Sequence, residues 1–281
     1  MFIGFERGAS RMAKAKVKAG TIFERREKKY LLTRTKFNQL MAELEKYMVV
    51  DEYGLHTIHT IYYDTDDFDV IRHSVSKPKY KEKLRLRSYG QAEQYSPVYL
   101  ELKKKVAGVT YKRRVALDYQ TAQNYLKYNR QPSQMNQVFR EIDYYVHQQS
   151  LKPKVLISYD RLALKGRTDP DFRITFDQNI RYSLTDFDLT AVDAKRETEL
   201  INTSEILMEV KILGAFPLEI SQLFSKLAIF QNKFTKYGNV YQWILYPEWE
   251  KQKLNHLSTE TQSLTNRTQE ELHYVKQYHF E

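Results

Sequence analysis

Lys77, Lys79, Lys81, Lys83, Arg85 and Arg87 stand at every second position of the chain. Side chains of a strand alternate between its faces, so those that fall within one strand point the same way, roughly 6 to 7 Å apart, with Tyr80, Leu84 and Leu86 opposite. Such a file of like charge repels itself unless anions lie among it. The chemistry it suits is phosphate binding, with Arg gripping two oxygens at once and Lys acting as a point charge. Later segments repeat the design in phase: Glu101, Lys103 and Lys105, then Lys112 with Arg114, Arg173 with Asp177, and Glu209 with Lys211. One such strand alone reads as a solvated outer face. Five in phase predict a cationic lumen holding a few carboxylates.

Other chemistries have little support. The chain has no cysteine, which excludes disulfides, thiolate metal sites and a Cys nucleophile. No Walker glycine loop, HExxH or Gly-x-Ser-x-Gly is present. His56 and His59 are three apart in a predicted strand, face opposite sides and read as ordinary surface or packing residues rather than a metal site. A nucleic-acid reader is disfavoured, because Glu101 and Glu209 inside basic strands gain it nothing and no RNP strand, helix-turn-helix or zinc finger is seen. Tyr30, Tyr63, Tyr89, Tyr159 and Tyr237 are expected to pack the lumen wall, and Asp64 and Asp160 to orient neighbouring Arg or Lys side chains.

The elements that must hold these residues follow from composition and period. The 281 residues are 42% hydrophobic and 28% charged, an ordinary globular composition, with 45 Lys+Arg against 35 Asp+Glu. A surplus of +10 favours polyanionic partners. The surplus is densest from Lys77 to Arg114, where Glu82, Glu93 and Glu101 are the only acids. Strands are predicted at 23–32, 57–64, 79–89, 98–105, 110–118, 154–164, 172–176 and 206–213. A first helix carries Phe37, Leu40, Met41, Leu44 and Met48. Two more are marked by the stripe from Met135 to Val146 and by Leu218, Leu223, Phe224 and Leu227 after Pro217. We expect one domain at 21–247, a basic arm at 1–20 and a polar tail at 248–281 with helical character. With no apolar run of about 18 residues and no secretory signal, the chain reads as cytoplasmic.

The motifs, taken together, resemble the triphosphate tunnel metalloenzymes, and within them the soluble bacterial form of the polyphosphate polymerase domain of the vacuolar transporter chaperone (VTC) family. The matching pieces run in order: Glu27-Lys28-Lys29-Tyr30, Ile61-Tyr62-Tyr63-Asp64, Leu84 to Gly90, Leu100-Glu101-Leu102-Lys103, Lys112-Arg113-Arg114, Tyr159-Asp160-Arg161, Arg173 to Asp177, Met208-Glu209-Val210-Lys211 and Lys233 to Gly238. The resemblance implies an α+β fold, a closed eight-stranded antiparallel barrel decorated by helices. It implies that Lys29, Lys83, Arg85, Arg87, Lys103, Lys112, Arg114, Arg161, Arg173 and Lys211 grip ATP or polyphosphate. Glu209, with Glu27, would bind Mn²⁺ or Mg²⁺, and Lys236 with Lys233 would sit at the transferred phosphoryl group beside Arg85 and Arg87. Where the superfamily often has Glu-x-Glu-x-Lys, this chain has Arg25, Glu27 and Lys29, a lost carboxylate that fits polymerisation better than two-metal hydrolysis. The implied activity is transfer of the ATP γ-phosphoryl group to a growing polyphosphate, releasing ADP. The alternatives are a triphosphatase of the same fold or a polyanion-binding module without chemistry. Coupling to a membrane would need a separate membrane partner.

Overall fold

Alternation builds most of this molecule. In the computed structural model, residues 25–107, 109–133 and 135–254 are described. The basic arm at 1–20 and most of the tail lie outside them, as do the side chains of Arg25 and Arg26. Eight strands form one continuous antiparallel path: β1 (Arg25–Thr33), β10 (Glu205–Leu213), β8 (Arg173–Ser183), β7 (Lys152–Gly166), β3 (His56–Asp64), β4 (Tyr80–Tyr89), β5 (Pro97–Val106) and β6 (Val109–Asp118). Two short strands attach at the side, β2 (Met48–Val50) on β7 and β9 (Thr198–Glu199) on β8.

One face of this sheet is apolar and covered by helices. α1 (Arg34–Leu44) and α5 (Leu218–Lys226) pack Leu40, Leu44, Leu223 and Phe224 against Met208, Val210, Ile174 and Phe176. α3 (Tyr119–Tyr128) and α4 (Gln137–Gln148) do the same over Leu84, Leu86, Leu100 and Leu102. Their starts are fixed by side-chain caps: Asp118 accepts from Thr121 N at 2.8 Å and Asn136 from Phe139 N at 2.8 Å. The expected stripes at Met135–Val146 and after Pro217 coincide with α4 and α5, whereas α3 and the two-turn α2 (Asp69–Val75) were not foreseen.

The opposite, concave face has two zones. At one end α6 (Lys236–Val240) and the π-turn that follows it (Tyr241–Leu245) bury Tyr237, Val240, Tyr241 and Leu245 against Tyr62, Tyr159, Leu207 and Ile71 of α2. The helix then runs on through 246–254. The rest of the concave face carries charge.

The closed barrel implied by the resemblance is not what forms. The path ends at β1 and β6, which are not hydrogen-bonded to each other. The reason lies in the segment between α5 and α6. Asn232 N donates to Lys29 O at 2.6 Å and Gln231 bridges Tyr30, so backbone groups of β1 that would zip onto another strand are already engaged. The sheet is a deeply curled, open one, curved enough for Lys103 Nζ on β5 to lie 3.7 Å from Glu27 on β1.

Candidate functional site

Register decides which charges meet. On β10, Glu209 lies opposite Lys29 of β1 and Thr175 of β8, and Lys211 opposite Glu27 and Arg173. Arg161 of β7 faces Asp177 of β8. Arg85 of β4 faces Glu101 of β5, which in turn faces Arg114 of β6, and Lys103 stands between Lys83 and Lys112. All these positions share the concave face because they keep one parity on each strand.

Two buried anionic nodes organise the cations. At the first, Arg161 grips Asp177 through two hydrogen bonds of 2.6 and 2.7 Å and approaches Glu209 at 3.8 Å. Lys236, entering from α6, bonds to the same Asp177, lies 3.9 Å from Glu209 and rests 4.2 Å over the Tyr159 ring. Lys29 and Lys211 complete the ring around Glu209 at 3.3 and 3.8 Å. Burial works to raise the Glu209 carboxyl, but Lys29, Lys236, Lys211 and Arg161 hold it well below the usual range. At the second node the fully buried Glu101 takes Arg85 at 2.7 Å, Lys112 at 2.5 Å, Arg114 at 3.2 Å and Arg87 at 4.0 Å. Burial would raise its carboxyl too, and Arg85, Arg87 and Lys112 bring it down to about 2. Buried charge of this density is tolerable only because each carboxylate has several partners.

Between the nodes lie Tyr62, whose hydroxyl accepts from Arg85 at 3.4 Å, and Glu27, shared by Lys29 at 3.6 Å and Lys103 at 3.7 Å. Lys83 stands apart. Burial lowers its ammonium, and Lys29, Lys81, Lys103 and Arg85 push it further, to about 7. Among the described residues no carboxylate lies within ion-pair distance of it.

Of the residues expected at the site, Lys29, Lys83, Arg85, Arg87, Lys103, Lys112, Arg114, Arg161, Glu209, Glu27, Lys211 and Lys236 are brought to this face. Arg173 is exposed at its margin, with Nε near Pro170 O, and Lys233 is exposed away from the cluster because Phe234 takes the inward place beside it. Asp64 and Asp160 do not orient cations. Asp64 accepts from Thr65 N, Val70 N, Ile71 N and the Tyr237 hydroxyl at 2.8 to 2.9 Å, and Asp160 from Thr57 and Asn179. Asp177 and Glu101 were expected on the charged face as carboxylates in phase with it, but neither they nor Tyr62 were assigned a role at the site. A lone acid in phase with a basic file was the signal available for the first two.

Phe234 also shows how α6 is aimed. The Asp64–Tyr237 bond ties its first turn to α2, and a Cβ at Gly238 would overlap Thr235 Oγ1, so glycine allows the tight approach that sends Lys236 inward.

The family model for the VTC domain matches residues 24–245. The chain belongs to the VTC domain family. The match spans the sheet from β1 to the π-turn, and therefore every element that contributes a charge to the two nodes. No curated protein matches the chain. Among solved structures, a candidate adenylate cyclase from Bacillus halodurans is 17% identical, with 79% of this chain and 97% of that one covered and a TM-score of 0.48. A candidate adenylyl cyclase from Hippeastrum, reported with a dominant triphosphatase activity, is 14% identical over 77% and 94% at a TM-score of 0.42. The Mimivirus capping enzyme triphosphatase is 9% identical over 72% and 87% at 0.31.

Among the described residues of this VTC domain, no three His, Asp or Glu side chains gather into a ready-made metal cage. Glu27 and Glu209 supply hard oxygen donors on adjacent strands, each already shared with lysines. Such a pair fits Mg²⁺ or Mn²⁺ held jointly by one or two carboxylates and substrate phosphates. No helix among the described residues is long and apolar enough to cross a membrane.

Proposed function

We propose that this VTC domain is a metal-dependent polyphosphate polymerase that moves the γ-phosphoryl group of ATP to the end of a polyphosphate chain. The observation that carries the reading is Lys83: an ammonium held among Lys29, Lys81, Lys103 and Arg85 makes sense once a polyanion occupies the concave face. Membership of the VTC family supports the same substrate class.

Phosphoryl transfer asks little covalent help of a protein, because the barrier falls through in-line positioning and neutralisation of the phosphoryl oxygens. Arg85 and Arg161 are fixed by Glu101 and Asp177, and Arg87 by Thr60 and the Tyr159 hydroxyl, so their remaining N–H groups are oriented before substrate arrives. The burial of Lys236 at the node of Asp177 and Glu209 supports its role of meeting the transferred group. Bound at Glu209 and Glu27 with phosphate oxygens, Mg²⁺ or Mn²⁺ would neutralise charge on the triphosphate. A terminal phosphate oxygen of the chain forms the new bond to the γ-phosphorus, and the bond from that phosphorus to the β,γ-bridging oxygen breaks. ADP leaves with the electron pair. The acceptor oxygen is already anionic at neutral pH, so no general base is needed.

The test is incubation of the purified protein with ATP and Mn²⁺, followed by electrophoresis of the products and assay of ADP. Long phosphate chains with matching ADP are expected. Orthophosphate as sole product would make water the acceptor and the protein a triphosphatase, and no turnover would leave a binding module.

A further inference from the structure

We propose that an aromatic rim of Tyr53, His56, Tyr89 and Tyr99 is a nucleobase platform that selects a nucleoside triphosphate over an inorganic phosphate chain as donor. This deepens the reading above and rests on it. Tyr89 continues the concave file of β4 two residues beyond Arg87, Tyr99 precedes Glu101 on β5 by two, and His56 opens the same face of β3. The rings run in succession, with centroids 6.1 Å apart from Tyr53 to His56, 6.0 Å from His56 to Tyr89 and 5.5 Å from Tyr89 to Tyr99. Single exposed tyrosines are commonplace. Here Tyr53 is 69% and Tyr89 47% exposed while forming one row that ends at the phosphate-facing cations.

Arg114 joins the two regions. Its guanidinium lies 3.6 Å from the Tyr99 ring centroid, donates to the Tyr89 hydroxyl at 3.1 Å and reaches Glu101 at 3.2 Å. A phosphate at Arg87 and Arg114 is therefore one strand repeat, roughly 6 to 7 Å, from the Tyr89 ring, a span that a ribose and base can cover. The opposite direction leads through Arg87 to the Tyr159 hydroxyl at 3.4 Å, and over that ring to Lys236. A base held at Tyr89 thus points the γ-phosphate towards Lys236 and fixes which end of the nucleotide reacts. Every base offers a π-face, and an inorganic chain offers none, so stacking discriminates between them.

The affinities of the full-length protein for ATP and for inorganic tripolyphosphate, measured by calorimetry in wild type, Tyr89→Leu and Tyr89→Phe, test this. Tyr89→Leu should lower the ratio of ATP to tripolyphosphate affinity about tenfold. Tyr89→Phe, which keeps the ring and loses the hydroxyl to Arg114, should leave that ratio at the wild-type value. An equal loss for both ligands in Tyr89→Leu would overturn the platform and make Tyr89 a positioning residue for Arg114. An unchanged ratio would also overturn it while sparing the phosphate site. Wild-type protein that binds neither ligand would overturn both proposals. Should Tyr89→Leu not fold, His56→Leu gives the same ratio from the neighbouring ring.

Discussion

Burial first, and then four cationic neighbours, lower the Lys83 ammonium to about 7, which makes its charge state responsive near neutrality. An anion bound beside it favours the charged form, so binding takes up a proton wherever the free protein has lost one. Affinity for tripolyphosphate should therefore weaken as pH rises through about 7, by at most tenfold per unit from this group. Lys83→Met should weaken binding about tenfold at pH 6.5, as expected for one lost charge-assisted bond, and the gap to wild type should shrink towards pH 9. Titration calorimetry across that range reads both effects. The alternation of Lys81, Lys83, Arg85 and Arg87 was enough to place this residue on a cationic face. What spacing did not reveal was the pairing: Asp177 and Glu101, single acids in their strands, turned out to fix Arg161 and Arg85, because partnership across strands depends on register rather than on period.

Asp64 belongs to the scale of elements. It caps the first turn of α2 through the amides of Val70 and Ile71 and receives the Tyr237 hydroxyl, thereby fastening α2 and α6 to the end of β3. Tyr237 stacks on Tyr62 at 4.9 Å, and burial first, then Asp64, raises its hydroxyl well above the usual range, so it stays a donor. Asp64→Ala should cost about 3 kcal/mol in denaturant unfolding, since several buried donors lose their acceptor, whereas Tyr237→Phe should cost about 1 kcal/mol. Both should reduce turnover through the looser seat of Lys236. This arrangement was hidden in the sequence, where Asp64 beside basic motifs suggested a partner for Arg or Lys. Strands and the stripes of α4 and α5 were legible because they are long and periodic. α2 spans two turns, and α3 buries Tyr119, Ala122 and Tyr125, a face too mixed to read as an apolar stripe.

At the scale of the whole molecule, cations of the concave face outnumber Glu27, Glu101, Asp177 and Glu209, and the chain carries a net +10. A polyanion that binds only the folded state should stabilise it by about 2.7 kcal/mol at one hundred times its dissociation constant. Thermal unfolding with and without tripolyphosphate measures this, and the gain should fall with salt, more steeply for contributions from the exposed margin than for the buried nodes. The cationic face follows from parity alone, but the closed barrel expected with it does not form, and parity could not tell the two apart, because side-chain alternation is the same in a ring and in a curled ribbon. The difference rests on the backbone of Lys29 and Tyr30, engaged by Asn232 and Gln231. Those two residues lie only a few positions ahead of Lys236. Had the last strand sealed the gap, that short run would have lost its seat on β1, which together with the Asp64–Tyr237 bond and Gly238 aims Lys236 inward. The missing seam is thus the berth of the run that leads into Lys236.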